Sequence, residues 1–162
     1  MSLQFAEVTL IMGSRSDWPT LQEATKPMTE LGVKFATNVV SAHRTPHRLT
    51  EFCQRAETEG VKIIIAGAGG SAHLPGMAAA HCCLPVIAVP VASKFMDGMD
   101  SLLSIVQMPR GVPVATQAVG GAGAYNAGLM AATMLAIADP ALRQRLQQWR
   151  AAQTDSVPFS VE

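Results

Sequence analysis

Short apolar runs alternate with segments of helical periodicity along most of this 162-residue chain. The first run, Val8-Thr9-Leu10-Ile11-Met12, is almost continuously apolar, which is typical of a strand buried on both faces of a parallel sheet. The segment after it repeats apolar residues every three or four positions, which indicates a helix. The predicted strands span 8–12, 33–40, 63–66, 86–89 and 114–119, and the predicted helices span 18–31, 46–59, 74–83, 99–107, 124–137 and a terminal stretch from 140.

Residues that start and stop helices stand at the ends of these segments. Thr45-Pro46 and Asp139-Pro140 are each typical of an N-cap followed by proline in the first turn. Ser16 or Asp17 can cap the first helix, and Pro27, which lacks an N–H group, is expected to bend or shorten it. The predicted helix stops are Gly32 and Gly60.

The alternation predicts an α/β fold with helices on both faces of a parallel sheet. For five strands we expect a three-layer, flavodoxin-like doubly wound sheet of strand order 2-1-3-4-5, with an extra C-terminal helix. We expect the apolar face of that helix, together with helix 124–137, to pack on neighbouring subunits. The sequence has no internal repeat or linker, so we expect one domain over 1–162 with an irregular tail over 154–162.

Charge and hydropathy narrow the class of protein. Twelve basic residues balance twelve acidic ones, so no net field would attract nucleic acid or an anionic membrane surface. Hydrophobic residues make up 49% of the chain and charged residues only 15%, which favours a homo-oligomer with covered surfaces. No apolar stretch is long enough to span a bilayer, and the N-terminus lacks the pattern of a secretory signal. We therefore expect a cytoplasmic location.

The three cysteines are Cys53, Cys82 and Cys83. Their number is odd and they lack the spaced pairs of a zinc site. We therefore expect buried, reduced thiols.

Polar and glycine-rich segments follow each predicted strand. Because ligands bind at the carboxyl ends of the strands in such sheets, we treat these loops as one candidate site. The loops are 13–17, 41–45, 67–73, 91–93 and 120–123.

The first two loops carry groups suited to a phosphorylated small molecule. Ser14 and Ser16 precede a helix start where backbone N–H groups can receive a phosphate, and Asp17 can accept from a ribose hydroxyl. Ordinary helix capping explains the same residues equally well. In the second loop His43 can move protons near neutral pH, and Arg44 can bind a phosphate through its planar fork of donors.

Gly67-Ala68-Gly69-Gly70 would allow the backbone to approach a flat ligand closely, although a tight turn alone would also need glycine. The spacing differs from G-x-G-x-x-G and no P-loop lysine motif is present, which argues against a dinucleotide. A metal site at His43 and His47 is disfavoured, because no acidic or cysteine ligand lies nearby in the sequence. His73 suits a structural or a site role, and His81 is expected in the core or at an interface.

Four segments together resemble the N5-carboxyaminoimidazole ribonucleotide mutase (PurE) family. They are MGSRSDW at 12–18, SAHRTP at 41–46, AGAGGSAHLPGM at 66–77 and DSLLSIVQMP at 100–109. The resemblance extends from about Val8 to about Val157. It implies a flavodoxin-like homo-octamer that needs neither metal nor organic cofactor. The implied reaction moves a carboxylate from the exocyclic nitrogen of N5-carboxyaminoimidazole ribonucleotide (N5-CAIR) to the ring carbon, giving 4-carboxy-5-aminoimidazole ribonucleotide (CAIR), a step of purine biosynthesis.

The resemblance also implies residue roles. His43 would transfer the proton, and the ribose phosphate would be bound by Ser14, Ser16, Asp17, Ser41 and Arg44. The small residues Gly69, Gly70 and Ser71 would enclose the released carbon dioxide, with His73 at the edge of that pocket. The chain departs from the family pattern at Ser71, where alanine is common, and at His47 and Tyr125.

Two other functions remain open at this point. One is an aminoimidazole ribonucleotide (AIR) carboxylase that uses free carbon dioxide, the activity of class II relatives on the same fold. The other is a nucleotide-binding or scaffold protein without catalysis. The segment 67–77 resembles the mutase class.

Overall fold

The computed structural model describes residues 2–161. The strands are β1 (Val8–Met12), β2 (Phe35–Val39), β3 (Ile63–Gly69), β4 (Val86–Val91) and β5 (Ala115–Thr116). The helices are α1 (Trp18–Leu21), α2 (Thr25–Glu30), α3 (Pro46–Ala56), α4 (Leu74–His81), α5 (Met99–Val106), α6 (Gly121–Leu135) and α7 (Pro140–Asp155).

The five strands form one sheet in the order β2-β1-β3-β4-β5, and every neighbouring pair is parallel. The predicted doubly wound order is therefore confirmed. Since all strands point the same way, all their carboxyl ends meet at one edge of the sheet. Met12 pairs with Val39 on one side and with Gly67 on the other, so the first three strand-end loops begin side by side.

Side chains of each strand alternate between two hydrophobic layers. In β1, Leu10 packs in one layer with residues of α1, α2, α6 and α7, whereas Ile11 packs in the other with residues of α3, α4 and α5. Both side chains are fully buried. This two-sided burial explains why the strand is a nearly continuous apolar run.

Several predicted boundaries differ from those observed. β3 and β4 extend to Gly69 and Val91, so the strands end at the site rather than before it. β5 has only two residues, because this edge strand pairs with β4 alone, at Ala115 and Thr116. Helix α3 ends at Ala56, α4 ends at His81 and α6 begins at Gly121.

The predicted first helix is divided, as its proline suggested. A 3₁₀ turn over Gln22–Ala24 separates α1 from α2. Pro27 cannot donate to the carbonyl oxygen four residues before it, Glu23, which lies in this turn. Asp17 stands at the N-cap position of α1 as predicted but makes no cap bond there, and Ser14 caps the preceding 3₁₀ turn over Arg15–Asp17.

The terminal helix packs on its own chain, which corrects the expectation that its apolar face contacts neighbouring subunits. Leu142 and Leu146 are buried in the layer that contains α2 and α6. Arg145 Nε donates to Leu31 O at 2.8 Å, and Trp149 Nε1 donates to Glu30 Oε2 at 3.0 Å. The helix reaches Asp155, so two residues of the predicted tail are helical.

None of the helices in residues 2–161 is long and apolar enough to cross a membrane.

The expected burial of the cysteines holds for Cys53 but is wrong for Cys83, which is exposed, while Cys82 is half-buried. The Sγ atoms of Cys53 and Cys82 lie 4.0 and 3.4 Å from the same carbonyl oxygen, that of Ala78. A hydrogen bond between the two free thiols lowers the pKa of Cys82 to about 7 and raises that of Cys53. Cys82 is therefore the thiol of this pair that ionises first.

We expect Cys53→Ala to slow alkylation of Cys82. The Cys53 thiol stabilises the Cys82 thiolate, so removing it raises the pKa of Cys82 and lowers the thiolate fraction at a given pH. The check is the rate of iodoacetamide labelling of each cysteine across pH, read by peptide mass spectrometry. The onset of Cys82 labelling should move to higher pH while labelling of Cys83 stays as in the parent protein. An unchanged Cys82 profile would contradict the pairing.

Candidate active site

A cavity of about 410 Å³ opens at the carboxyl edge of the sheet. Loops after the first four strands contribute to its wall. The lining residues are Gly13, Ser14, Asp17, Ser41, Ala42, His43, Arg44, Ala68, Gly69, Ser71, His73, Leu74, Val91, Ala92 and Ser93. The fifth loop, 120–123, is not part of this wall, which corrects its inclusion in the predicted site.

Eight of the ten predicted site residues line this cavity. The two that do not are Ser16 and Gly70. His47 is exposed on α3 and His81 is exposed at the end of α4, so neither belongs to the site or to the core of this chain. Among residues 2–161, no three metal-binding side chains cluster as they would around a metal ion.

The first loop is a capping box. Ser14 Oγ accepts from Ser16 N–H at 3.2 Å, Asp17 Oδ2 accepts from Ser14 N–H at 3.1 Å, and Ser16 Oγ donates to Asp17 Oδ1 at 3.3 Å. Burial raises the pKa of the Asp17 carboxyl, although hydrogen bonds from Ser14, Ser16 and Gly13 act in the opposite direction. The capping interpretation is therefore correct, and it leaves Ser14 and Asp17 at the cavity wall.

The second loop is a compact turn held by Ser41 and Thr45. Thr45 Oγ1 accepts from Ser41 N–H at 3.0 Å and donates to Ser41 O at 2.9 Å. Thr45 precedes α3 as predicted, but its hydroxyl makes no cap bond because these two bonds occupy it. The loop thus has a fixed shape that orients His43 and Arg44.

Arg44 joins the first two loops. Its Nη2 donates to Gly13 O at 2.9 Å, and its Nε lies 3.3 Å from Ser41 Oγ. No acidic side chain forms an ion pair with Arg44 within the described chain. Its positive charge therefore remains available to an anion in the cavity.

His43 and His73 contact each other directly. His43 Nε2 lies 2.9 Å from His73 Nδ1, and the two rings are nearly perpendicular, at 85°. A neutral imidazole carries one N–H, so one ring donates and the other accepts, and a single proton lies between them. The sequence left the role of His73 open. In the structure His73 is the hydrogen-bond partner of His43, the candidate proton carrier.

The glycine segment is held by helix α5, a contact that sequence reasoning missed. Gly70 has a φ of +68°, a left-handed conformation that favours glycine. Its N–H donates to Ser101 Oγ at 2.9 Å. Ser101 was identifiable in principle, since it lies four residues before the buried Ile105 on one helix face, and a buried hydroxyl needs a partner.

The fold and the site define a class of protein. It is a doubly wound α/β protein whose crevice contains a pair of histidines and an arginine that has no ion pair within the described chain. The AIR carboxylase family model matches residues 7–156. The N5-carboxyaminoimidazole ribonucleotide mutase of Brucella melitensis is 60% identical over 151 residues, which cover 93% of each chain. The Escherichia coli protein of the same name is 57% identical over 152 residues, covering 94% of this chain and 90% of that one. The chain therefore belongs to the AIR carboxylase family.

A solved structure has the same fold. The crystal structure of Treponema denticola PurE superposes with a TM-score of 0.81 at 24% identity, over 91% of each chain. At this identity the likeness concerns the fold, and it agrees with the flavodoxin-like architecture predicted from the strand pattern.

Proposed function

We propose that this protein is an isomerase of purine biosynthesis that converts N5-CAIR to CAIR. The observation that carries the proposal is near-full-length identity of 53–60% with several proteins named N5-carboxyaminoimidazole ribonucleotide mutase. The cavity is consistent with it, since it combines a free cation, small residues and a histidine pair. We propose further that the reaction needs no metal or organic cofactor.

The parts of the cavity match the parts of this substrate. The phosphate would lie against Arg44 and the hydroxyls of Ser14 and Ser41, and Asp17 would accept from the ribose. Ser16, whose hydroxyl faces Asp17, would act by orienting that carboxylate. The flat heterocycle would lie along Gly69 and Ser71 with its reacting edge toward His43.

A single imidazole can serve both halves of the reaction. In the first half the bond between the exocyclic nitrogen and the carboxylate carbon breaks, carbon dioxide leaves, and protonated His43 gives its proton to that nitrogen. In the second half the ring carbon attacks carbon dioxide, and neutral His43 removes the proton from that carbon. The base thus returns to its starting state, and atoms and charge balance over the cycle.

His73 would assist by fixing the ring of His43. Because His43 Nε2 is bonded to His73, the imidazole is held in one orientation, as partners of catalytic histidines generally do. The proton between the two rings can also shift as His43 changes charge. We propose His73 as a positioning residue for His43.

We also propose a cytoplasmic homo-octamer. Large apolar side chains cluster at exposed positions in and just before α5, at Phe95, Met96, Met99, Leu103 and Val106. Apolar side chains grouped in this way favour a surface that contacts other copies of the chain. Sedimentation velocity should give a mass of eight chains, whereas a monomer in solution would contradict this assignment.

A second candidate, an AIR carboxylase that uses free carbon dioxide, is favoured by the name of the matching family. The test supplies N5-CAIR in one reaction and AIR with bicarbonate in another, and follows CAIR by chromatography. Rapid CAIR formation from N5-CAIR with slow formation from AIR and bicarbonate is expected. Efficient turnover of AIR and bicarbonate alone would contradict the mutase assignment.

A further inference from the structure

Ser101 is a buried hydroxyl at the back of the glycine segment. It is 0% exposed, and the other buried polar side chains among residues 2–161 are Thr9 and Asn38. Its Oγ donates to Val91 O at 2.6 Å and accepts from Gly70 N–H at 2.9 Å. The hydroxyl has one proton, which it donates to Val91 O. Its lone pairs remain available to accept from Gly70 N–H, so both bonds can form at once.

These two bonds connect the ends of adjacent strands at the cavity. Val91 is the last residue of β4, and Gly70 directly follows the last residue of β3. A Cβ built on Gly69 would lie 3.3 Å from Val91 O and 3.8 Å from Ser101 Oγ, so the segment already packs against this bridge. Ser101 therefore determines how far the Gly69-Gly70-Ser71 backbone can move away from β4.

Helix α5 also contacts the carbonyl oxygen of Gly70. Ser104 Oγ lies 3.1 Å from Gly70 O and 2.7 Å from Asp100 O, and it shares one proton between them. Both polar backbone groups of Gly70 are thus held by one helix. This matters because Gly70 has a left-handed backbone conformation and open space beside its Cα, so local packing alone does not fix it.

We propose that Ser101 is a positioning residue that keeps the glycine segment closed over carbon dioxide while the carboxylate changes position. This inference rests on the proposed function, and it assigns to Gly69 and Ser71, which line the cavity, the enclosure of the released gas. Ser101 touches neither substrate nor His43, so it acts on retention rather than on proton transfer. When it is lost, carbon dioxide escapes before the ring carbon attacks, and AIR accumulates in place of CAIR.

The test compares Ser101→Ala with Thr9→Val. Thr9 is a matched control because it is also 0% exposed, and its hydroxyl also both accepts from and donates to the backbone, at Ala6. It lies in β1 on the amino side of the strand, away from the cavity. Both variants should melt at lower temperature, because each loses a buried hydrogen-bonding group.

The discriminating measurement is the ratio of AIR to CAIR formed from N5-CAIR, corrected for decarboxylation without enzyme. Ser101→Ala should raise this ratio about tenfold, the factor expected for one lost hydrogen bond that holds the closed state. Thr9→Val should keep the ratio of the parent protein. A parent-like ratio in Ser101→Ala, or an equal rise in both variants, would overturn the inference.

A second variant covers the case in which Ser101→Ala does not fold. Ser101→Cys keeps a donor and an acceptor that bond more weakly, so its ratio should rise by less than tenfold, and an unchanged ratio would count against Ser101. Failure of the proposed function gives a different result, since the parent protein would then form no CAIR from N5-CAIR.

Discussion

His43→Asn should lower kcat for the conversion of N5-CAIR to CAIR by about 10²–10⁴-fold, the range expected when a general acid-base group is removed. Asparagine is polar but shorter than histidine, so its amide does not extend to the position of Nε2, which bonds His73, and it cannot exchange a proton near neutral pH. Binding of CAIR, measured by isothermal titration calorimetry, should change little because Arg44 and Ser14 remain. The loss should therefore appear in kcat and leave affinity nearly intact.

The control for this variant is His47→Asn, the same substitution four residues along the chain. His47 is exposed on α3 and does not line the cavity, so its rate should stay near that of the parent protein. A kcat in His43→Asn that equals the kcat of His47→Asn would rule out His43 as the proton carrier.

Arg44→Ala should raise KM for N5-CAIR by roughly ten- to a hundredfold, because hydrogen bonds to charged groups contribute about 1.5–3 kcal/mol. The effect on kcat should be smaller, since the guanidinium would bind the phosphate rather than the reacting atoms. Arg44→Lys should give an intermediate KM, because lysine keeps the charge but loses the planar fork. Steady-state kinetics of the two variants separates charge from geometry.

Arg48→Ala is the matched control for this prediction. Arg48 lies in the first turn of α3, four residues after Arg44, donates to Val39 O at 3.1 Å, and does not line the cavity. Its removal should leave KM close to the parent value. If Arg44→Ala also had the parent KM, the phosphate would have to bind elsewhere.

Much of the fold could be predicted because the sheet is buried on both faces. A strand such as β1 must be apolar throughout, and its pattern then stands apart from the helical segments around it. This apolar pattern is less informative for a strand at the edge of the sheet. The edge strand β5 forms few hydrogen bonds with β4, and it is much shorter than the predicted strand. The start of α3 after Thr45 was predicted correctly, but the Thr45 hydroxyl makes no cap bond because it bonds Ser41 instead.

The site was predictable to the level of loops but not of contacts. Parallel strands must bring their carboxyl ends together, so His43, Arg44 and Gly69 were expected at one edge. The bond between His43 and His73 joins residues 30 positions apart and depends on ring orientation, which sequence spacing does not specify. Ser101 was not predicted for a related reason: its two hydrogen-bond partners, Val91 and Gly70, lie at the ends of different strands.

The cysteines illustrate the same limit. Burial of Cys53 follows from its place on the inward face of α3, whereas the neighbouring pair Cys82 and Cys83 lies where α4 has already ended. There the chain direction, rather than helical periodicity, decides which thiol is covered. The sequence therefore predicted one environment for three thiols that the structure separates.

In the proposed binding mode, one ligand lies across the cavity with its phosphate at Arg44 and its heterocycle at His43. A crystal structure of the protein with CAIR tests this most directly. The predicted result places the phosphate within hydrogen-bond distance of Arg44 and Ser14, with a ring nitrogen of His43 facing the carbon that carries the new carboxylate. A ligand bound in the reverse direction, or His43 turned away from that carbon, would contradict this binding mode and the role of His43.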